Sequence, residues 1–444
     1  EYRRVSEMNR WHGLNVESEG TGISKPLSEQ VNLLGTVLGH AIEEQGGPEM
    51  LKLVEDLRLL CKRSISEDDP KFREEASRVV RGLSVDQIIW LLRSYTAFFH
   101  LVNKAEQEEI IRINRKRAIE STLEQPRPES INAAVRQLKE QGFSAEEVAG
   151  LFGKLDIQPT LTAHPTEARR RAILYKQQYV ANQMDILRKP DITPDERQEA
   201  LNSLFNEISI LLATDEVRVE RPSVKDEVKQ GLYFVWNSIW DTVPQIYLDA
   251  QRALHKYYNE VPDFPVFLKY RSWIGSDRDG NPNVTPEVTW WTAMTQRRLA
   301  LQYHRDELLE LRRELSLSDQ QISIPQMIYY SIEEDAAEIE IPEFRQRLYR
   351  HEPFRTKISY ILSRIDTELA SLEGASSEDP PAIGYTRDQY IADLEVLQEA
   401  LEQCQLAELA DFGQVNRLIV KARTFGFHLL TLDIRQHKIG RAHV

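Results

Sequence analysis

The chain has 444 residues, of which 41% are hydrophobic and 28% charged, and its formal net charge is −14 at pH 7. This composition is typical of a globular protein with a large core and excludes collagen-like and low-complexity chains. The negative charge gives nucleic acid no general electrostatic reason to bind, and the sequence has no apolar run of about 18 residues to span a membrane. We therefore expect a soluble protein without a nucleic-acid or membrane partner.

The cysteine content favours a reducing compartment. Cys61 and Cys404 are the only cysteines, too few for a disulfide framework, and no signal peptide is recognisable, so we expect a cytoplasmic protein. Cys61 continues an apolar helical stripe after Val54 and Leu57. We predict that it is a small core residue and not a nucleophile.

Most of the sequence carries helical spacing of apolar residues. A first helix is predicted over residues 28–42, ended by a glycine pair, with Pro48 opening a second helix. Ser84, three residues before a glutamine, forms a capping box that predicts a helix over 88–102. Ser144 starts an equivalent box, which predicts a helix ending near residue 153.

Three short segments break the helical pattern and have the character of β-strands. They cover residues 155–163, 266–274 and 427–435 and are separated by long helical stretches, which favours a parallel sheet. Charged side chains or a histidine stand at the C-terminal end of each segment. That end is where the loops of a barrel carry their chemistry.

The motifs of several other enzyme classes are missing from the sequence. It contains no P-loop, dinucleotide-binding glycine motif, zinc motif of the HExxH or CxxC type, or GxSxG serine-hydrolase motif. Residues 277–281 resemble the start of a calcium loop, but Pro282 and Val288 occupy positions where that loop needs other residues. We therefore expect none of these sites.

His164 follows the first β segment and precedes Pro165 and a run of arginines at residues 169–171. Arginine binds carboxylate or phosphate through two parallel hydrogen bonds. A histidine beside such a cluster can transfer a proton on an anionic substrate near neutral pH. Because acidic side chains are abundant, the arginines can equally pair within the protein, and residue chemistry leaves both interpretations open.

The other two segments end in charged residues. After the second segment, Asp277, Arg278 and Asp279 can form an ion-pair network that simply holds the loop. In the third segment, the two-residue period of a strand places Asp433 and Arg435 on the same side. Arg435 needs an anion there, and the residues allow either Asp433 or a bound substrate.

Together these segments resemble the phosphoenolpyruvate carboxylase family. LTAHPTE at residues 161–167, WIGSDRDGNP at 273–282 and LDIRQ at 432–436 are similar to three characteristic stretches of that family and occur in the family's order. The helical stretch VNLLGTVLG at 31–39 is similar as well. The resemblance therefore extends over residues 27–437.

The resemblance implies a mostly α-helical protein with a few parallel β-strands, which form part of a (β/α)8, TIM-type barrel with extensive additional helices. It also implies carboxylation of phosphoenolpyruvate with bicarbonate to oxaloacetate and phosphate, in a cytoplasmic, allosteric homotetramer. The cofactor would be Mg2+ or Mn2+. Complete members of the family are much longer than this chain, so the metal ligands are expected in the missing C-terminal half, none in this chain, and the isolated fragment is expected to be inactive.

The resemblance also assigns roles to single residues. His164 corresponds to the catalytic histidine that takes the carboxyl proton of carboxyphosphate. Arg435 corresponds to an arginine that binds the substrate phosphate, and Trp273 to an aromatic wall beside the substrate methylene. Three more arginines correspond to an allosteric site that binds sugar phosphate in some members: Arg170, Arg171 and Arg218.

We expect three parts along the chain: a flexible N-terminal extension over residues 1–26, a carboxylase-like helical and barrel domain over 27–437, and a non-native tail over 438–444. The tail resembles the translation of a sequencing adapter. Two alternatives of another class remain: a non-catalytic anion-sensing or assembly subunit of the same fold, and a helical scaffold without a ligand. Continuation of the gene into metal-binding and lysine motifs separates the carboxylase from the non-catalytic subunit. His164→Asn in the full-length protein separates it from the scaffold, because a catalytic histidine should be needed for most oxaloacetate formation.

Overall fold

The computed structural model of the chain describes residues 24–162, 170–215 and 222–436. In these ranges the protein is mostly helical and contains one small parallel sheet, which confirms the predicted combination of helices and parallel strands. The tail expected at 438–444 lies outside the described residues, as does all but the end of the expected N-terminal extension.

The helices of the described ranges are, in chain order, α1 (Lys25–Gly46), α2 (Pro48–Ser66), α3 (Pro70–Arg81), α4 (Val85–Ile119), α5 (Ile131–Glu140), α6 (Ala145–Phe152), α7 (Arg171–Leu187), α8 (Pro194–Leu212), α9 (Val224–Phe234), α10 (Trp240–Tyr258), α11 (Pro286–Glu314), α12 (Gln326–Glu338), α13 (Glu343–Leu348), α14 (Pro353–Ser371), α15 (Arg387–Gln403), α16 (Ala407–Phe412) and α17 (Gln414–Phe425). A π-helical turn, Val235–Ile239, joins α9 to α10. None of these helices has both the length and the apolar character needed to cross a membrane.

The chain divides into two compact units. The first comprises residues 1–122 and 169–220, and the second comprises residues 123–168 and 221–444. In the first unit, α1, α4, α7 and α8 bury their apolar faces in one core, because each presents leucine, isoleucine or valine at helical spacing.

The predicted helix boundaries in the first unit agree with the structure where local signals are strong. α1 ends at Gly46, and Gly47 follows with a φ of 85°, a left-handed conformation that glycine adopts readily. Pro48 begins α2. The capping box at Ser84 is formed, but its helix, α4, continues to Ile119, well beyond the predicted end.

The prediction that Cys61 is a core residue is wrong. Its side chain is exposed, although it lies on the same helical stripe as the buried Val54 and Leu57. Burial along α2 ends at Leu57, and no residue from Arg58 to the end of the helix is buried. The apolar stripe therefore runs past the part of α2 that has a packing partner.

The second unit contains two apolar cores. One is formed by α11, α12, α14, α15 and α17. The other lies where α10 packs against the strands and the segments that precede them. Here the Tyr247 hydroxyl accepts hydrogen bonds from the backbone N–H groups of Phe267 and Leu268, at 2.9 and 2.8 Å. These two donors would otherwise be buried without a partner.

The sheet has three short parallel strands in the order β1 (Thr160–Leu161), β2 (Arg271–Ser272) and β3 (Thr431–Leu432). Thr160 is opposite Arg271, which in turn is opposite Thr431. All three strands fall inside the predicted segments. A further bridge joins Asp277 to Arg435 beyond the C-terminal ends of β2 and β3, so the candidate site residues of these two segments are brought together.

Candidate active site

The loop after β2 folds back tightly because of a single glycine. The carbonyl of Trp273 accepts hydrogen bonds from the N–H groups of Ser276 and Asp277, at 3.0 and 2.9 Å. This turn places Gly275 at a φ of 83°. A Cβ atom at residue 275 would overlap the Thr292 hydroxyl and lie 2.9 Å from a methyl group of Val228. Glycine is therefore required for both backbone conformation and space.

Ser276 fastens this loop to the end of β3. Its fully buried hydroxyl donates a hydrogen bond of 2.9 Å to the carbonyl of Asp433. Its own carbonyl accepts from the N–H of Arg435 at 3.4 Å, and the carbonyl of Arg435 accepts from the N–H of Arg278 at 2.8 Å. The backbones that carry the candidate side chains are thus held together independently of those side chains.

Arg435 lies on the face of Trp273. The Cζ atom of its guanidinium is 4.0 Å from the centroid of the indole ring, a geometry in which the cation is attracted by the ring electrons. The Nη1 atom of Arg435 is 3.0 Å from Oδ2 of Asp277, and its Nη2 atom is 3.9 Å from Oδ2 of Asp279. With 39% of its side chain exposed, the guanidinium remains accessible to a ligand.

The anionic partner of Arg435 is therefore Asp277, and not Asp433 as one sequence interpretation allowed. Asp433 instead forms an ion pair with Arg271 and accepts a hydrogen bond of 3.2 Å from Nε1 of Trp273. Asp433 and Arg435 contact the same indole ring, one at its N–H edge and the other on its face. This agrees with the prediction that they share a side of the strand.

The ion-pair network predicted within the loop after β2 has a different composition. Asp277 accepts a hydrogen bond from the N–H of Asp279 at 3.1 Å, but its ionic partner comes from β3. The Arg278 side chain reaches toward the Thr289 hydroxyl, with Nη2 at 3.5 Å, while its Nε atom is buried without a hydrogen-bond partner. The network therefore connects the loop to β3.

Sequence reasoning missed Arg271 and Ser276. Arg271 lies on β2 two residues before Trp273, and Asp433 lies two residues after Thr431, the register partner of Arg271. Opposite charges at these positions were a usable signal, but it could be interpreted only once the register was known. Nothing in the sequence distinguished Ser276 from any other loop serine.

The remaining predicted site residues are placed only in part. His164 and Arg218 lie outside the described residues. Arg170 and Arg171 belong to the first unit, where Arg170 is the N-cap of α7 and donates a hydrogen bond of 2.6 Å to the carbonyl of Asp215. The roles assigned to these four residues remain predictions, as do those assigned to Arg435 and Trp273.

The described carboxylates do not fit a metal centre. The described ranges contain no group of three or more histidine, cysteine, aspartate or glutamate side chains arranged to hold a metal ion. At the site itself, Asp277 pairs with Arg435, and Asp433 pairs with Arg271 and Trp273. Hard cations such as Mg2+ need several free oxygen ligands, which these paired carboxylates do not offer.

This arrangement defines a class of protein: one with an accessible arginine, an aromatic wall and an acidic counter-charge at the C-terminal ends of parallel strands, where α/β enzymes bind their ligands. Comparison with known proteins narrows the class. A family model described as phosphoenolpyruvate carboxylase matches residues 27–443. The chain belongs to the phosphoenolpyruvate carboxylase family, which confirms the resemblance seen in the sequence.

Several curated relatives carry the same name. The chain is 56% identical over 424 residues to the phosphoenolpyruvate carboxylase of Rhodothermus marinus, an alignment that covers 96% of this chain and 45% of the relative. It is 35% identical to that of Roseiflexus castenholzii over 93% of the chain and 45% of the relative. For Thermus sp. (strain 71) the identity is 33%, over 92% of the chain and 43% of the relative. The chain thus spans less than half the length of these relatives.

Proposed function

We propose that this chain is the N-terminal part of a phosphoenolpyruvate carboxylase, which joins bicarbonate to phosphoenolpyruvate and forms oxaloacetate and phosphate. The observation that carries the proposal is the accessible guanidinium of Arg435, held against Trp273 at the end of β3. A guanidinium is suited to a phosphate because it offers two parallel donors. Family membership provides independent support.

In the proposed reaction, a bicarbonate oxygen attacks the phosphorus of phosphoenolpyruvate and the bond from phosphorus to the enol oxygen breaks. The products are carboxyphosphate and the enolate of pyruvate. Arg435 neutralises charge on the transferred phosphoryl group, and Trp273 keeps water away from the enolate carbon. His164 takes the carboxyl proton of carboxyphosphate, which then separates into carbon dioxide and phosphate. The enolate carbon attacks carbon dioxide and forms the new carbon–carbon bond.

We further propose that the three strands are one arc of a (β/α)8 barrel. Among the described residues, β1 and β3 each pair with a neighbouring strand on only one side. Further strands would cover both edges, and barrels close their edges in this way. The remaining part of the protein would supply those strands and the ligands for Mg2+ or Mn2+.

The assembly and regulation are proposals on the same basis. The complete protein would be a cytoplasmic homotetramer, in which Arg170, Arg171 and Arg218 bind an anionic effector. We also keep as a proposal the division of the chain into an extension over residues 1–26, a carboxylase-like domain over 27–437 and a non-native tail over 438–444.

The first experiment is to read the source DNA beyond codon 437. We expect the frame to continue for several hundred codons into acidic metal-binding motifs. The complete protein is then expressed and assayed for oxaloacetate with phosphoenolpyruvate and Mg2+, with and without bicarbonate. A stop codon directly after Val444, or a complete protein that forms no bicarbonate-dependent oxaloacetate, would overturn the proposal and favour the non-catalytic subunit.

His164→Asn tests the proton-transfer role in the same complete protein. The variant should lose most oxaloacetate formation while its thermal unfolding is unchanged, because asparagine keeps the polarity but cannot take the proton. Turnover at the level of the unmodified protein would remove His164 from the mechanism.

A further inference from the structure

The carboxylate of Asp433 fixes the edge of the Trp273 ring. Its Oδ2 atom accepts the hydrogen bond from the indole N–H at 3.2 Å, and Oδ1 pairs with Arg271. The Asp433 side chain is 23% exposed, so the carboxylate is largely sheltered and is held from two directions. An indole whose only polar atom is held in this way has a defined ring orientation.

The orientation of the Trp273 ring determines where the Arg435 guanidinium lies. The guanidinium is in contact with the ring face, at 4.0 Å from the centroid. Attraction of a cation to an aromatic ring depends on the cation lying over the face of the ring. If the indole rotates, this contact is lost, and Asp277 and Asp279 become the remaining described ionic contacts of Arg435.

We infer that Asp433 is a positioning residue for phosphate binding: it holds Trp273 by the indole N–H and thereby sets the place of the Arg435 guanidinium. The inference rests on the proposed function, because it takes Arg435 as the ligand of the substrate phosphate. Asp433 acts through Trp273, and its own carboxylate is occupied by the indole and Arg271.

The contacts that hold the backbone at residue 433 are distinct from those that its side chain makes. The backbone at residue 433 is fastened by the Ser276 hydroxyl, which bonds to the Asp433 carbonyl, and by the Asp433 N–H, which bonds to the Ser272 carbonyl at 3.0 Å. Neither bond uses the Asp433 side chain. The ion pair with Arg271 is partly exposed, with 36% of the Arg271 side chain accessible, and such pairs add little to stability. Asp433→Ala should therefore fold.

The test uses the complete enzyme and measures KM for phosphoenolpyruvate separately from kcat. Asp433→Ala should raise KM on the order of tenfold, because Arg435 loses its defined position, with a smaller change in kcat. Arg271→Gln removes one of the two contacts that hold the Asp433 carboxylate but leaves the indole hydrogen bond, so it should raise KM by less than Asp433→Ala does. Asp366→Asn, which breaks the partly exposed Arg305–Asp366 pair, controls for loss of an ion pair away from the site.

Repeating Asp433→Ala in a Trp273 variant tests whether Asp433 affects KM through the indole N–H. Trp273→Phe keeps an aromatic face but removes the N–H that Asp433 binds. In this background Asp433→Ala should change KM by less than about twofold, because coupled residues show non-additive effects. An equal effect in both backgrounds would overturn the inference, as would an unchanged KM in the single variant.

If the proposed carboxylase function itself is wrong, the experiments give a result different from the one that refutes the role of Asp433. In that case the unmodified complete protein forms no oxaloacetate, or Arg435→Gln leaves KM for phosphoenolpyruvate unchanged. If the unmodified protein is active and Arg435→Gln raises KM while Asp433→Ala does not, only the role of Asp433 is refuted.

Discussion

The buried imidazole of His304 has a strongly shifted pKa. It is fully buried on α11, its Nε2 atom is 3.1 Å from the carbonyl of Gly426, and its ring packs edge-on against Trp240, Tyr390 and Phe427. Burial, with a smaller contribution from the charge of Lys421, lowers the pKa of His304 to about 3. The imidazole is therefore neutral in the folded protein at any ordinary pH.

This pKa predicts a loss of stability in acid. The unfolded chain accepts a proton on this histidine below its normal pKa of about 6.5, whereas the folded protein accepts one only near pH 3. The free energy of unfolding should therefore fall as pH decreases between these values, by up to about 1.4 kcal/mol per pH unit. In His304→Phe, urea unfolding at pH 7 and pH 5 should differ less than in the unmodified protein. An unchanged difference would contradict the prediction.

For Arg435, the sequence left the anionic partner open, and the structure identifies it. Its strand and side were predictable from the two-residue period, but its partner was not, because Asp277 is 158 positions away. Only the parallel register of β2 and β3 brings the two together. Which carboxylate pairs with Arg435 therefore depends on tertiary structure, and local sequence patterns cannot predict it.

At the scale of the elements, the sequence patterns predicted the positions of the strands correctly but overestimated their lengths. Each predicted segment covered nine residues, but only two residues of each pair as a strand. An apolar or alternating pattern indicates extended chain, whereas pairing requires a neighbour in register. The capping boxes at Ser84 and Ser144 were predicted correctly, because each is formed by residues close in sequence, although α4 begins at Val85 and not at residue 88.

Gly275 gives a test of the loop after β2. Gly275→Ala forces a Cβ atom against Thr292 and Val228 in a left-handed backbone conformation, and we expect a loss of at least about 2 kcal/mol in unfolding free energy. Gly280→Ala is the matched control: its φ is also positive, at 73°, but its Cβ position is open, so about 1 kcal/mol is expected. Equal losses in urea unfolding would show that crowding at residue 275 is unimportant.

Tyr247 gives a test of the segment that leads into β2. Tyr247→Phe leaves the buried N–H groups of Phe267 and Leu268 without their acceptor, at a cost of about 1–3 kcal/mol for each unsatisfied group. Tyr258→Phe removes a hydroxyl that donates a single hydrogen bond to the carbonyl of Phe143. The first variant should lose clearly more thermal stability than the second, and the reverse order would contradict this account of the segment.

At the scale of the whole molecule, the sheet of the described residues has three strands, and β1 and β3 lie at its edges. The open sides of β1 and β3 present strand edges, and exposed edges promote association between chains. We expect the 444-residue chain alone to self-associate and to form no oxaloacetate, while the complete protein does form it. Light scattering and the oxaloacetate assay check the two statements. A monodisperse, active 444-residue chain would contradict the proposal of an incomplete barrel.

The contact between Arg435 and Asp277 has a consequence for which anions the site can hold. Nη1 of Arg435 is 3.0 Å from the Asp277 carboxylate, so an anion that bound at this atom would have to displace that carboxylate. A monovalent anion such as chloride gains little from this exchange, because it offers Arg435 no more charge than it displaces. A phosphate dianion brings twice that charge and two acceptor oxygens for the guanidinium fork. At the phosphate site that we propose, we therefore expect Asp277 to compete with singly charged anions for Arg435 and so to favour a dianion.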